Sequence, residues 1–232
     1  MNISALAPWE ALMKQMVWQQ LGDIRHQKLL DFGSGKGVTA CYYAGCNDVV
    51  AIEPSAEAIS ERWQAYPYQQ LLGSTEELKK LPDESFDVIL CHNVLEYAED
   101  RAKIVQEFAR LLKPDGLLSV VKHNRAGRVM QMAVLLNDFD RAHELLDGED
   151  GAAAQYGTIH YYEDSDIEKW SEKLQIAKTL GMRTFWDLQQ NQEGQKDPQW
   201  QNQMLDLEMR VSEREEYRAI AFFHHLLIQK RR

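Results

Sequence analysis

The chain has 232 residues, a hydrophobic share of 44% and a charged share of 27%, which suits one folded domain over residues 1–232 and excludes global disorder. A net charge of −10 argues against a broad, sequence-blind grip on nucleic acid, which needs a basic surface to displace counterions, although a local basic patch can still operate. No apolar run approaches bilayer length, Met1 to Trp9 lacks the pattern of an export signal, and the three cysteines are an odd number; we therefore expect reduced thiols, a cytoplasmic location and no membrane partner.

The first element is a helix: Trp9, Leu12, Met13, Met16 and Leu21 recur at helical spacing behind Pro8, a residue suited to a helix start. From Lys28 short apolar runs alternate with helical patterns. Leu29 to Phe32 reads as a strand ending in a glycine-rich turn, Asp48 to Ile52 as a second and Tyr68 to Leu72 as a third. Phe86 to Cys91 and Leu117 to Lys122 follow, with a helix between them carried by Ile104, Val105, Phe108, Leu111 and Leu112. Lys113-Pro114-Asp115-Gly116 stops that helix. The alternation implies a parallel sheet covered on both faces.

The second half breaks the rhythm. Val129 to Leu146 reads as one apolar-rich helix, then comes a polar loop through Gly148, Gly151 and Gly157. Asp164 to Leu180 reads as a helix with Ser165 and Glu168 spaced as a capping box. Met182 to Leu188 and Ala221 to Gln229 are the expected last strands, separated by a helix around Met204 to Val211. The expected fold is α/β: a seven-stranded, mostly parallel, doubly wound, Rossmann-like sheet with an antiparallel edge pair. Residues 124–162 form a helical insertion at its ligand-binding edge.

The chemistry concentrates in Asp31-Phe32-Gly33-Ser34-Gly35-Lys36-Gly37, between a strand and a helical pattern. Glycines there allow a sharp turn and close approach of backbone to a ligand. The dinucleotide fingerprint requires glycine at its sixth position, where this chain has Val38. Glu53, 22 positions after Asp31, closes the second strand near the spacing at which a carboxylate reaches ribose hydroxyls. Gly73-Ser74-Thr75-Glu76 follows the third strand and Cys91-His92-Asn93-Val94-Leu95-Glu96 the fourth.

This ordered set, with Pro82 to Asp87 and Leu111 to Gly116, resembles the class I methyltransferases. The resemblance implies S-adenosyl-L-methionine as cofactor, held by Asp31, Gly33, Ser34, Gly35, Glu53, Thr75, Glu76 and His92. A second resemblance runs through Trp18-Gln19-x-Leu21, Asn124-x-x-Gly127, Asn137-Asp138-Phe139-Asp140, and Leu205-Asp206-Leu207-Glu208 followed by Tyr217. These are similar to the bacterial tRNA 5-carboxymethoxyuridine methyltransferases, which implies tRNA as methyl acceptor. An arginine that this family directs at the cofactor from its first helix falls at Met13, with Lys14 adjacent.

A carboxylate acceptor needs no base, and Lys122, His123, Arg125 and Arg128 stand where they could receive one. A hydroxyl acceptor would call on His92 or His123, so no catalytic residue is assigned. The competing classes are a small-molecule carboxyl- or hydroxyl-methyltransferase, whose acceptor would be an anionic small molecule, and a non-catalytic cofactor-binding protein. Cys41 and Cys46, on one predicted helix, diverge by roughly 140° and make poor joint metal ligands, so no metal is expected and both read as core thiols. His224 and His225 are strand neighbours and point to opposite faces.

Overall fold

In the computed structural model, which describes residues 3–153 and 157–231, the alternation of the first half becomes a seven-stranded sheet. Met1 and Asn2, three residues of the expected insertion (154–156) and Arg232 lie outside the described residues. In chain order come α1 (Pro8–Leu21), β1 (Lys28–Phe32), α2 (Val38–Ala44), β2 (Asp48–Glu53), α3 (Ala56–Ser60) and β3 (Gln69–Leu72). They are followed by α4 (Thr75–Leu78), β4 (Phe86–His92), α5 (Arg101–Leu111) and β5 (Leu112–His123). Then come α6 (Arg125–Met130), α7 (Phe139–Leu146) and a small hairpin of β6 (Gly151–Ala153) and β7 (Gly157–Ile159). The chain closes with α8 (Asp166–Trp170), β8 (Leu174–Met182), α9 (Pro198–Val211), α10 (Glu215–Arg218) and β9 (Phe223–Lys230).

The strand order is β3-β2-β1-β4-β5-β9-β8. Strands β1 to β5 pair in parallel; β9 runs antiparallel to both β5 and β8, which makes the antiparallel edge pair. Continuous apolar strands are required because both faces are covered. Leu30, Phe32 and Ile89 face Val105 and Phe108 of α5 and Ile167 of α8. Leu29, Val49 and Leu90 face Ala40 and Tyr43 of α2, and α1 and α9 cover Val121, Met182 and Phe223. Each fully buried Leu or Phe contributes about 1.5–3 kcal/mol. The connections from β1 and β4 leave toward opposite edges, so a crevice opens at their carboxyl ends, where ligands of open α/β sheets bind.

Five expectations about local structure change. Val129 to Leu146 is not one helix: α6 runs into a π-helical turn (Gln131–Leu136), Asn137 turns left-handed at φ 53°, and Asp138 caps α7 by accepting from Arg141 N. Asp164 to Leu180 is helical only over α8, after which the chain becomes β8. A bulge between Ile176 and Lys178 interrupts its two-residue alternation, and the remaining apolar spacing imitates a helix. The expected capping box does not form, since Ser165 makes no side-chain cap and Glu168 Oε1 accepts from Ile176 N. The strand expected over Met182 to Leu188 ends at its first residue, because Arg183 turns left-handed and Trp186–Leu188 is a 3-10 turn. Cys46 lies beyond the end of α2 and is exposed, whereas Cys41 is buried as expected.

No helix among the described residues is long and apolar enough to cross a membrane. No group of three His, Cys, Asp or Glu among them is arranged to hold a metal ion.

Candidate functional site

The crevice between β1 and β4 is built from the glycine loop upward. Gly33 and Gly35 are left-handed, at φ 76° and 54°, which side chains other than glycine rarely adopt. A Cβ on Gly33 would collide with Val94, whereas one on Gly35 would meet nothing within 4 Å and stand in open space. Gly33 N and Ser34 N both donate to the Ile52 carbonyl, at 2.9 and 3.1 Å, and so tie the loop to β2. Glu53 braces the same loop: Oε2 accepts from Gly35 N at 2.7 Å and Oε1 from Ser55 N at 2.9 Å. Each oxygen keeps a further lone pair for a ligand hydroxyl. Gly73 N donates to the Glu53 carbonyl, which brings the β3 turn alongside, and Glu76 Oε1 accepts from Ser74 N within it. Thr75 and Glu76 thus open α4 at the rim of the crevice.

Three buried oxygens here have no protein partner: Asp31 Oδ2, Ser34 Oγ and Asn93 Oδ1. Burial pushes the Asp31 carboxyl up to about 6, against the pull of the Lys14 ammonium. Lys14 donates to Thr39 Oγ1 at 2.9 Å, and burial lowers its pKa. Met13, the position expected to match a first-helix cation, is packed in the core with its Sδ against Asn93. The first-helix cation beside the crevice is Lys14. A cluster of acceptors in front of an open glycine face fits S-adenosylmethionine, whose ammonium and ribose hydroxyls donate. The amides of Gly33, Ser34, Gly35 and Gly37 already donate within the protein, so these four are not free to cradle a pyrophosphate.

At the end of β5 the four expected acceptor-side residues separate into two kinds. Lys122 is 4% exposed, ion-paired to Asp164 at 3.0 Å and set over the Tyr162 ring, so it is already committed. Burial pushes the Asp164 carboxyl up, but His224 and Lys122 outweigh that and hold it at about 2. Arg125 lies over Tyr161 and donates from Nη1 to the carbonyls of Leu145 and Glu149, at 3.2 and 2.9 Å; its Nε and Nη2 have no further bond among the described residues. Lys122, Asn124, Arg125, Tyr161 and Asp164 line a cavity of about 350 Å³. Arg128 stacks on Phe222 and donates to Gln131, whose amide reaches Asp187. His123 sits beside these cations: burial, then Arg183, Arg128 and Lys122, push its pKa down to about 3.

Sequence reasoning missed Arg183 and Glu96. Arg183 is held by Asp187 through two hydrogen bonds, at 2.9 and 2.5 Å, with Trp9, Phe222 and Phe223 around its guanidinium. It is left-handed and buried, a costly conformation that marks functional positions. Nothing local in the sequence distinguishes it from a surface arginine. Glu96 lies inside the motif that follows β4, is 1% exposed, accepts from His123 N at 3.2 Å, and is pushed up to about 7 by burial.

The motifs of the second half have structural reasons. Asn124 caps α6 and donates to the carbonyls of Ala219 and Ala221, and a side chain at Gly127 would collide with the Ala221 backbone. Glu208 Oε2 accepts from Thr184 N, and its Oε1 from Phe185 N and Trp186 N; Tyr217 packs edge-on against Phe185. Both therefore fix the turn that carries Arg183.

Comparison with known proteins bears on the family and the fold. Residues 30–120 match a family model described as a methyltransferase domain. The chain is 27% identical over 237 residues to the tRNA 5-carboxymethoxyuridine methyltransferase of Escherichia coli K12, covering 94% of this chain and 88% of that one. It is 32% identical over 133 residues to the ubiquinone biosynthesis O-methyltransferase of Histophilus somni, covering 52% and 55%. The fold resembles that of a putative S-adenosylmethionine-dependent methyltransferase from Listeria monocytogenes, with a TM-score of 0.63 at 14% identity over 97% and 98% of the two chains.

Proposed function

Because the chain is an S-adenosylmethionine-dependent methyltransferase, we propose that it transfers the methyl group to a carboxylate on a modified wobble uridine of tRNA. The observation that carries this reading is the extent of the similarity to the tRNA enzyme: 94% of the chain, a coverage that takes in residues 124–162. The match to the ubiquinone-pathway enzyme covers about half of it. In this reading residues 124–162 are the acceptor side of a single domain.

Bound S-adenosylmethionine supplies a methyl carbon on a positively charged sulfur, which an acceptor carboxylate takes in line, leaving a methyl ester and a neutral thioether with no proton moved. The glycine loop with Asp31, Gly33, Ser34 and Gly35 would hold the amino-acid end, Glu53 the ribose, and Thr75 with Glu76 the adenine. Holding donor and acceptor in a near-attack arrangement can supply about 7–11 kcal/mol of the barrier. Arg128 and Arg183 supply positive charge toward which an acceptor carboxylate can orient. Both arginines already have partners, Gln131 and Asp187, which limits how tightly they would grip the nucleophile.

The histidines support an acceptor that needs no base. Burial holds both His92 and His123 well below their ordinary pKa, which makes them weak bases, and Glu96 is enclosed away from solvent. The net charge of −10 favours the second reading, a carboxyl- or hydroxyl-methyltransferase of small molecules.

Salt dependence of tRNA binding separates the two. Arg125→Ala and Arg128→Ala should each weaken tRNA binding about five- to tenfold at moderate salt. Each should also flatten the log–log salt slope by roughly 0.7–0.9 for every phosphate the variant no longer neutralises. Cofactor affinity, measured on the same preparations, should hardly move, since neither residue belongs to the glycine loop. Wild-type protein without measurable tRNA affinity, alongside normal cofactor binding, would transfer the reading to a small acceptor.

A further inference from the structure

On the α1 side of the sheet, a line of hydrogen bonds runs from the edge strand to the end of β4. Gln20 Nε2 donates to the Gly181 carbonyl at 3.2 Å. Gln20 Oε1 lies 2.7 Å from His225 Nδ1, His225 Nε2 lies 2.7 Å from Ser119 Oγ, and that hydroxyl lies 2.8 Å from His92 Nε2. Ser119 and His225 are fully buried. Parallel pairing of Leu90 with Ser119, and antiparallel pairing of Val121 with His225, set the three side chains on one face.

One end of the line decides all of it. A carbonyl oxygen can only accept, so the Gln20 amide nitrogen faces Gly181 and its oxygen faces His225. His225 Nδ1 must then carry the proton. Burial holds the His225 pKa down to about 3, so the ring is neutral and its Nε2 is an acceptor. Ser119 has one proton, donates it there, and can only accept from His92. The reversed order would set the Gln20 oxygen against the Gly181 oxygen with no proton between them.

We propose that Gly181, Gln20, His225 and Ser119 form a one-way relay that fixes His92 in the Nε2–H form, leaving its Nδ1 a permanent acceptor for the ammonium group of the cofactor's amino-acid end. The inference rests on the cofactor reading and is independent of the methyl acceptor. His92 ends β4 at the crevice, followed directly by Asn93 with its unpartnered Oδ1, and Asp31, with its unpartnered Oδ2, is the last residue but one of the neighbouring strand β1. An ammonium has three protons, and these are three acceptors. Burial, His225 and the nearby Lys14 ammonium keep His92 from taking a second proton. Gln20, Ser119 and His225 are thus positioning residues, and His92 is the one that touches the ligand.

Two-bond proton–nitrogen correlation spectra of the imidazole rings report which nitrogen carries the proton. In ligand-free protein we expect His92 as the Nε2–H form and His225 as the Nδ1–H form. The opposite form at either ring, or a mixture, would overturn the relay. Adding S-adenosylhomocysteine should shift the His92 Nδ1 resonance toward that of a hydrogen-bonded nitrogen; an unmoved resonance at saturation, or no binding at all, would refute the ligand assignment. Gln20→Met, at a half-buried position, should convert His92 to a tautomer mixture and weaken S-adenosylhomocysteine binding roughly three- to tenfold. Ser119→Ala should do the same, and Ser119→Thr, which restores the hydroxyl, should recover both signals. A deaminated analogue should bind wild type and Gln20→Met equally, an equality that a purely structural network would not produce. Inactivity toward every tRNA would leave these spectra as they are, so the two proposals fail separately.

Discussion

Gly35→Val is expected to abolish cofactor binding while the protein stays folded. Two effects combine. Gly35 sits at φ 54°, where a β-branched residue is strongly disfavoured, so the loop itself must shift. A Cβ there meets no protein atom within 4 Å, so the added methyl groups crowd no core residue, and on the cofactor reading they would take up space that the ligand needs beside the loop. Together these should cost at least about 3 kcal/mol, on the order of a hundredfold or more in the dissociation constant of S-adenosylhomocysteine. Glu53→Ala is the graded comparison: it removes the brace on Gly35 N together with an acceptor for ribose hydroxyls, a loss of roughly 1.5–3 kcal/mol. Titration calorimetry reads both. A Gly35→Val protein that binds within threefold of wild type would show that the ligand lies elsewhere.

The second large effect is on stability. Glu208 is fully buried and accepts three backbone N–H groups, from Thr184, Phe185 and Trp186, at 2.7, 2.8 and 3.0 Å. Glu208→Ala leaves those donors buried without partners, at about 1–3 kcal/mol each. The charge removed was itself disfavoured by burial, which raises the Glu208 pKa and offsets part of the loss. A net cost on the order of 3–6 kcal/mol remains, roughly a 10–20 °C fall in Tm for a chain of this size. Glu208→Gln, which keeps one carbonyl oxygen, should fall between the two. A change in Tm of less than about 3 °C for Glu208→Ala would mean the turn is held by its packing alone.

The sheet was legible because its order follows from periodicity and from turns that glycine and proline punctuate. Leu29 to Phe32, Asp48 to Ile52 and Phe86 to Cys91 each lie within the strand expected of them. The failures share one cause, a local irregularity that periodic reading cannot see. The bulge at Ala177 turned a strand into an apparent helix, and the left-handed Asn137 and Arg183 cut elements that hydrophobicity alone would have continued.

The candidate crevice could be located for the same reason as the sheet, since its motifs follow strand ends in order. What the sequence could not give was how residues far apart meet. Glu208 and Thr184 are brought together by α9, and Gln20 with His92 through a strand that pairs late in the chain. Lys14 was hidden by one residue of helical phase: Met13 belongs to the inward stripe of α1, and Lys14, about 100° around the helix, reaches the crevice instead.

Transfer of labelled methyl from S-adenosylmethionine to tRNA tests the central claim most directly. Two tRNA preparations should be compared, one carrying 5-carboxymethoxyuridine at the wobble position and one with unmodified uridine there. The account predicts label only on the carboxylate-bearing tRNA, as an ester released by mild alkali. Absence of label on that tRNA, by protein that binds S-adenosylhomocysteine normally, would contradict it.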